Sequence, residues 1–206
     1  TVAPLGVPLN ATVRLPGSKS ITNRALVCAA LADGPSMLTG FLDSDDTQAM
    51  VGALRSLGIE IVVDGDRVEV WGCRGRLPVR DAKLDARMSG TSARFLLPLA
   101  ALGTGEITLD GHDSMRARPM ADGIDAIEQI GRTVTSADGG LPIVVAPDPD
   151  VDELNGAVTV RGDVSSQFLS GLLLVAPCLR DGLEISVDGQ LQSGPYVDMT
   201  IAVMRA

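Results

Sequence analysis

NRALVCAALADGPSMLTGFLDSDDTQAMVGALRSLGIEIVVDGDRVEVWG, residues 23–72, holds most of one structural unit. Its first ten residues are apolar at helical spacing, and Gly34 follows them. A short strand runs to Gly40. A second helical pattern runs to Gly58, which reads as the C′ residue because a glycine there takes the left-handed conformation at no Cβ cost. The β-branched runs around Asp64-Gly65-Asp66 then predict a hairpin. Thr12 to Leu15, TVRL, precedes the first helix as a strand, which makes the unit βαβαββ.

The pattern returns twice. Residues 93–146 (ARFLLPLAALGTGEITLDGHDSMRARPMADGIDAIEQIGRTVTSADGGLPIVVA) repeat it, and residues 166–206 (SQFLSGLLLVAPCLRDGLEISVDGQLQSGPYVDMTIAVMRA) begin it again without the strand pair. The period is roughly 70–77 residues, longer than the common solenoid repeats. Gly34, Gly105 and Gly182 match, as do Gly40, Gly111 and Gly189, and Gly58 and Gly131. The expected architecture is α/β: parallel strands joined through helices by right-handed crossovers. The units span about 16–83, 84–160 and an incomplete 161–206, after a leading segment and crossover strand at 1–15. The last helix is expected to start near Tyr196. A domain that stops inside a helix reads as the first part of a longer protein.

Composition narrows the function. Of 206 residues, 45% are hydrophobic but only 2% aromatic, so the core must be built from Leu, Val, Ile, Ala and Met. The net charge of −9 argues against nucleic acid or an anionic membrane as the main partner. No apolar run is long enough for a membrane helix. Cys28, Cys73 and Cys178 are widely spaced with no CxxC pattern, which reads as reduced thiols in the cytoplasm. The lone His112 lies in a Gly-Asp-rich turn without co-ligands and reads as a solvated loop residue; no metal site is expected.

The deviations between copies suggest a site. The three first helices open at GSKSITNRA, MSGTSARFL and DVSSQFLSG, each rich in Ser, Thr or Gly. Such residues cap helices. Three equivalent N-termini that point inward would also gather free N–H groups and hydroxyls around an anion. Lys19 and Arg24 crowd the positive end of the first helix, where a cation is out of place unless an anion sits between. Arg116 and Arg118 precede Pro119, which suits a first helical position. Ser193 and Tyr196 flank Pro195 at another helix start. Asp45 and Asp46 read as caps of the second helix.

With these residues the sequence resembles the 5-enolpyruvylshikimate-3-phosphate (EPSP) synthase family. The resemblance rests on LPGSKSITNRAL, LDSDDT, SGTSARFLLPLAAL, RARPM, SSQFLSGLLL and SGPYVDMT, in the family's order, from about residue 10 to the last. It implies one domain of the enolpyruvyl transferase fold, which has two similar domains of three βαβαββ units each. It implies transfer of the enolpyruvyl group of phosphoenolpyruvate to the 5-hydroxyl of shikimate 3-phosphate, with release of phosphate and no organic cofactor. Matched by motif, Lys19 resembles the lysine at phosphoenolpyruvate and the reaction centre, and Ser20 and Arg24 the shikimate-binding pair. Gly90 and Thr91 match the loop beside phosphoenolpyruvate, and Arg118 its arginine clamp. Ser165, Ser166 and Ser193 match the hydroxyls around the shikimate phosphate. Gln167 matches the glutamine between the substrates, and Tyr196 a shikimate contact.

Met88-Ser89 stands where the family usually has Asn-Ala, and Phe95 where many members have Pro. Both bear on the shape of the phosphoenolpyruvate pocket, where glyphosate competes in the family. The resemblance also implies a C-terminal domain that this chain lacks, inactivity of the chain alone, and a monomer when complete. Two other readings stand beside it. One is a non-catalytic ligand-binding or interaction module on the same scaffold. The other is a UDP-N-acetylglucosamine enolpyruvyl transferase, whose family has Lys-Asn at positions 19–20 and a reactive cysteine in the loop that here reads GHDSMRARP.

Overall fold

The structure is a computed structural model that describes residues 6, 8, 10–13, 15–151, 153–163 and 165–206. From the N-terminus come α1 (Lys19–Leu31), β1 (Asp33–Thr39), α2 (Asp45–Ser56), β2 (Glu60–Asp64) and β3 (Arg67–Cys73). Next come β4 (Ala82–Asp85), α3 (Gly90–Ala100), β5 (Ile107–Asp110), the short α4 (Asp113–Arg116), α5 (Ala121–Gln129), β6 (Arg132–Ser136) and β7 (Ile143–Pro147). The last stretch holds β8 (Ala157–Arg161), α6 (Ser166–Val175), a 3₁₀ turn at Ala176–Cys178, β9 (Glu184–Asp188) and α7 (Gly194–Arg205).

Three sheets surround the helices. Their strand orders are β1-β3-β2, β4-β5-β7-β6 and β8-β9. Among the described residues parallel pairing is confined to β4 with β5 and β8 with β9. The first sheet is antiparallel throughout, which departs from the parallel architecture expected. The reason is local: Asp64 pairs with Arg67 across a two-residue turn, so β3 folds back on β2 and then pairs with β1. The strand expected at 12–15 is absent at its described positions. Thr12, Val13 and Leu15 have no regular structure, and Arg14 lies outside the described residues. Val13 is 75% exposed and Leu15 81%, so an edge strand there would have no layer to pack against.

Apolar burial centres on α3. Every residue of α3 except Arg94 is buried, so this helix is enclosed all round. It packs most extensively against α6. Pro98 has no N–H, so the Arg94 carbonyl cannot receive its helical hydrogen bond. Gly171 of α6 crosses at that point; a Cβ there would stand 2.7 Å from the Arg94 oxygen and 2.8 Å from Pro98 Cγ. Leu26, Met50, Leu54, Leu96, Leu97, Leu99 and Ile107 complete the aliphatic core with the buried ring of Phe95.

Several helix boundaries follow the sequence. Ser18, Ser89 and Ser165 are N-caps whose hydroxyls accept from Ile21, Ser92 and Gln167 N–H. Gly58 and Gly131 follow the ends of α2 and α5 with φ of 83° and 93°. Others differ. Ser44 caps α2 through a capping box with Thr47, while Asp45 and Asp46 lie in the first turn. Pro119 is outside α5, whose N-cap is Met120, because Arg116 already belongs to α4 and the chain must turn between the two helices. α7 begins at Gly194, two residues before Tyr196. His112 is exposed and caps α4. The three cysteines are free thiols, and burial pushes Cys28 up to about 11. Among the described residues no helix is long and apolar enough to cross a membrane.

Candidate functional site

The first turns of α1, α2, α3 and α6 are tied to one another by polar contacts. Lys19, the first residue of α1, places Nζ 3.1 Å from Asp46 Oδ2 in the first turn of α2. Asp46 reaches α3 twice. The Ser92 hydroxyl donates to its carbonyl at 3.1 Å, and the Ser89 hydroxyl, which accepts from Ser92, helps to lower its carboxyl pKa. From α3, Thr91 Oγ1 accepts from Gln167 Nε2 of α6 at 3.1 Å. Gln167 Oε1 accepts from Arg94 Nη1 at 3.0 Å. The N-termini that hold Ser20, Thr91 and Ser166 therefore converge, each at a helix start capped by a serine.

Gly90 stands at the centre. A Cβ on it would lie 2.6 Å from Arg118 Nη1 and 3.0 Å from Arg94 Nη1, so two guanidinium groups occupy the space that a side chain would need. Arg118 is exposed, and among the described residues it makes no side-chain hydrogen bond or ion pair. Arg94 lies over the Phe168 ring at 5.2 Å, and its Nε is buried without a partner among the described residues. Burial lowers the Arg94 pKa, and the like charge of Arg118 lowers it further. Burial alone would raise the Asp46 carboxyl. Hydrogen bonds from Ser89 and Lys19, with the charges of Lys19 and Arg118, outweigh that and hold it below the usual carboxylate range. Lys19 and Arg118 thus act on the Asp46 carboxylate, and Arg94 adds a third cation beside Gly90, in a chain whose net charge is −9, an excess that suits a dianionic ligand.

Arg24 is placed differently from the sequence reading of a cation at the helix entrance. It is only 1% exposed. Four of its five N–H donors are committed, to Thr200 Oγ1, Ser170 Oγ and the carbonyls of Ser20 and Tyr196. It lies beneath the surface that Ser20 and Tyr196 form. Tyr196 is exposed, and Ser193 caps α7 at φ 57° with no side-chain cap bond, a left-handed conformation unusual for a residue with a Cβ. Ser165 and the buried Ser166 lie in a crevice with Asp122, Arg161 and Leu191. Arg116, singled out beside Arg118, is engaged by Asp110 at 2.8 Å and Asp113 at 3.1 Å. An open cavity of about 900 Å³ adjoins Met88 and is lined by Lys83, Asp85, Arg87, Asp110 and Arg116. Its charges are largely matched, so it offers an anion less than the surroundings of Gly90 do.

Sequence reasoning passed over Arg94 and Ser92, and it read Asp46 only as a helix cap. A cation one turn into an otherwise apolar helix was the available signal for Arg94. Asp46 gave none, since an aspartate in the first turn of a helix is ordinary.

Comparisons with known proteins place the chain in a family. The family model for EPSP synthase (3-phosphoshikimate 1-carboxyvinyltransferase) matches residues 5–206. A 3-phosphoshikimate 1-carboxyvinyltransferase of Nitrosomonas europaea is 44% identical over 195 residues, 93% of this chain and 44% of that protein. One of Paraburkholderia phytofirmans is 42% identical over 201 residues, 94% and 45% of the two chains. The solved EPSP synthase of Acinetobacter baumannii superposes with a TM-score of 0.75 at 24% identity, covering 88% of this chain and 41% of that one, which speaks for the fold. The chain spans a little under half the length of the relatives it matches.

Proposed function

The chain belongs to the EPSP synthase family, and from that premise we propose that it forms the N-terminal half of an enzyme that transfers the enolpyruvyl group of phosphoenolpyruvate to the 5-hydroxyl of shikimate 3-phosphate. The observation that carries this reading is the approach of Arg94 and Arg118 to Gly90, with Lys19 and Arg118 both acting on Asp46 at the neighbouring helix start. Phosphoenolpyruvate brings a carboxylate and a phosphate, and planar guanidinium groups suit both. In this reading Lys19 is the catalytic residue, at the boundary of the two substrates. Arg118, Gly90 and Thr91 hold phosphoenolpyruvate, and Gln167 lies between the ligands. Ser20, Ser165, Ser166, Ser193 and Tyr196 take the shikimate side. Arg24 supports that side from below with one remaining Nη1 donor and a positive charge that no carboxylate among the described residues pairs with.

The division into units at about 16–83, 84–160 and 161–206 belongs to the same proposal, as do a cytoplasmic location and a monomeric complete protein. Addition of the hydroxyl across the enol double bond and elimination of phosphate both need positioned acid–base groups. Lys19 and Asp46 are the candidates on this chain. The other groups, and the closure that excludes water, are assigned to a second domain.

The test is to titrate shikimate 3-phosphate and phosphoenolpyruvate into the purified chain, then assay turnover with and without a separately made second domain. The expected result is measurable shikimate 3-phosphate binding, weaker phosphoenolpyruvate binding, no turnover alone and turnover on mixing. Turnover by the chain alone would refute the two-domain account. Binding without turnover on mixing would favour a non-catalytic binding module.

A further inference from the structure

α7 carries the proposed shikimate contacts on its first turn, and little of it is buried. It packs on α1 and α6, its N-cap Ser193 makes no side-chain cap bond, and Thr200 is its one buried residue. The Thr200 hydroxyl meets the largest fully buried side chain of the domain, that of Arg24. Arg24 Nε donates to Thr200 Oγ1 at 2.7 Å, and Arg24 Nη2 donates to Ser170 Oγ of α6 at 3.2 Å and to the Tyr196 carbonyl at 3.3 Å. The Thr200 hydroxyl lies 2.9 Å from Ser170 Oγ and 2.8 Å from the Tyr196 carbonyl. Thr200 and Ser170 are both 0% exposed, and the guanidinium stacks 5.0 Å from the centre of the Phe95 ring. Among the described residues no carboxylate pairs with Arg24. Its hydrogen-bond partners are all neutral, so each one is costly to lose.

We propose that Thr200 is a positioning residue: by joining Arg24 and Ser170 to the Tyr196 carbonyl, it sets the height of the first turn of α7 and so the placement of Ser193 and Tyr196 at the shikimate side of the site. This rests on the reading of the site given above. The hydroxyl is required because it alone can accept from Arg24 Nε and donate onward. A methyl group of the same shape would leave a buried guanidinium donor unmatched, and the turn would shift to bring another acceptor or water to it.

The experiment uses Tyr196 as the reporter, since it is the only tyrosine in the chain. Its ring resonances and the shikimate 3-phosphate affinity are measured for the wild-type chain, Thr200→Val, Thr200→Ser and Leu57→Ala. Leu57 is a fully buried residue at the far end of α2, so its truncation lowers stability without touching α7. Thr200→Val is expected to move and broaden the Tyr196 signals and weaken binding about tenfold. Thr200→Ser keeps the hydroxyl and leaves both unchanged, and Leu57→Ala lowers the melting temperature only. Unchanged Tyr196 signals in Thr200→Val, or equal changes in Leu57→Ala, would overturn the proposal. If the wild-type chain binds no shikimate 3-phosphate, the substrate reading fails, and the Tyr196 signals alone judge Thr200. If Thr200→Val does not fold, Ser170→Ala takes its place, and an unmoved Tyr196 spectrum there refutes the idea.

Discussion

Arg118 Nη1 lies 2.6 Å from the position that a Cβ on Gly90 would take. Real Cβ contacts are not that short, so Gly90→Ala must displace the guanidinium. Arg118 is exposed and can swing away, so the fold survives. The expected outcome in the complete enzyme is phosphoenolpyruvate binding weakened about tenfold, the scale of one charge-assisted hydrogen bond, with shikimate 3-phosphate retained. Ligand titrations of the variant check this. Equal loss of both ligands would point to a collapsed loop instead.

Arg118→Ala removes the cation and keeps the glycine. It is expected to weaken phosphoenolpyruvate by about ten- to a hundredfold, from roughly 1.5–3 kcal/mol for a lost charged hydrogen-bond partner. Shikimate 3-phosphate should be little affected, because that side is assigned to α6, α7 and Ser20. An unchanged phosphoenolpyruvate affinity would remove Arg118 from the site.

Asp46 gives a pH-dependent prediction. Its carboxyl titrates lower in the folded chain than when unfolded. Its contribution to stability is therefore present above the unfolded value of about 3.9 and is lost as pH falls through the folded value. The pair is partly solvated, with Lys19 46% and Asp46 27% exposed, so the effect is on the order of 1 kcal/mol or less. Asp46→Asn should melt slightly lower than wild type at pH 7, and the gap should close in strong acid. A gap that persists below the folded value would assign the loss to packing.

Gly171→Ala tests the helix crossing at the core. The added Cβ would meet the Arg94 carbonyl at 2.7 Å and Pro98 Cγ at 2.8 Å, and backbone cannot yield as a side chain does. Overpacking of this kind costs about 1–3 kcal/mol. Urea unfolding should show a lower midpoint with an unchanged slope. A midpoint equal to wild type would mean that α3 and α6 separate without cost.

The sequence determined the starts of α1, α3 and α6, the ends of α2 and α5 and the β2–β3 hairpin. Each is a local event in which a cap, a left-handed glycine or a tight turn acts within a few residues. It also held Lys19, Gly90, Thr91, Arg118 and Gln167 in recognisable motifs. Tertiary structure decided what each charge does. Arg24 reads as an anion-facing cation at a helix entrance until Ser170 and Thr200, 146 and 176 residues away, bury it among neutral acceptors. Asp46 reads as a capping residue until Lys19 and Ser89 surround it. TVRL has the composition of a strand, yet Val13 and Leu15 stay exposed because no layer covers them. The state of a charge and the existence of an edge strand depend on which distant surfaces meet them, and that contact is made only when the chain is packed.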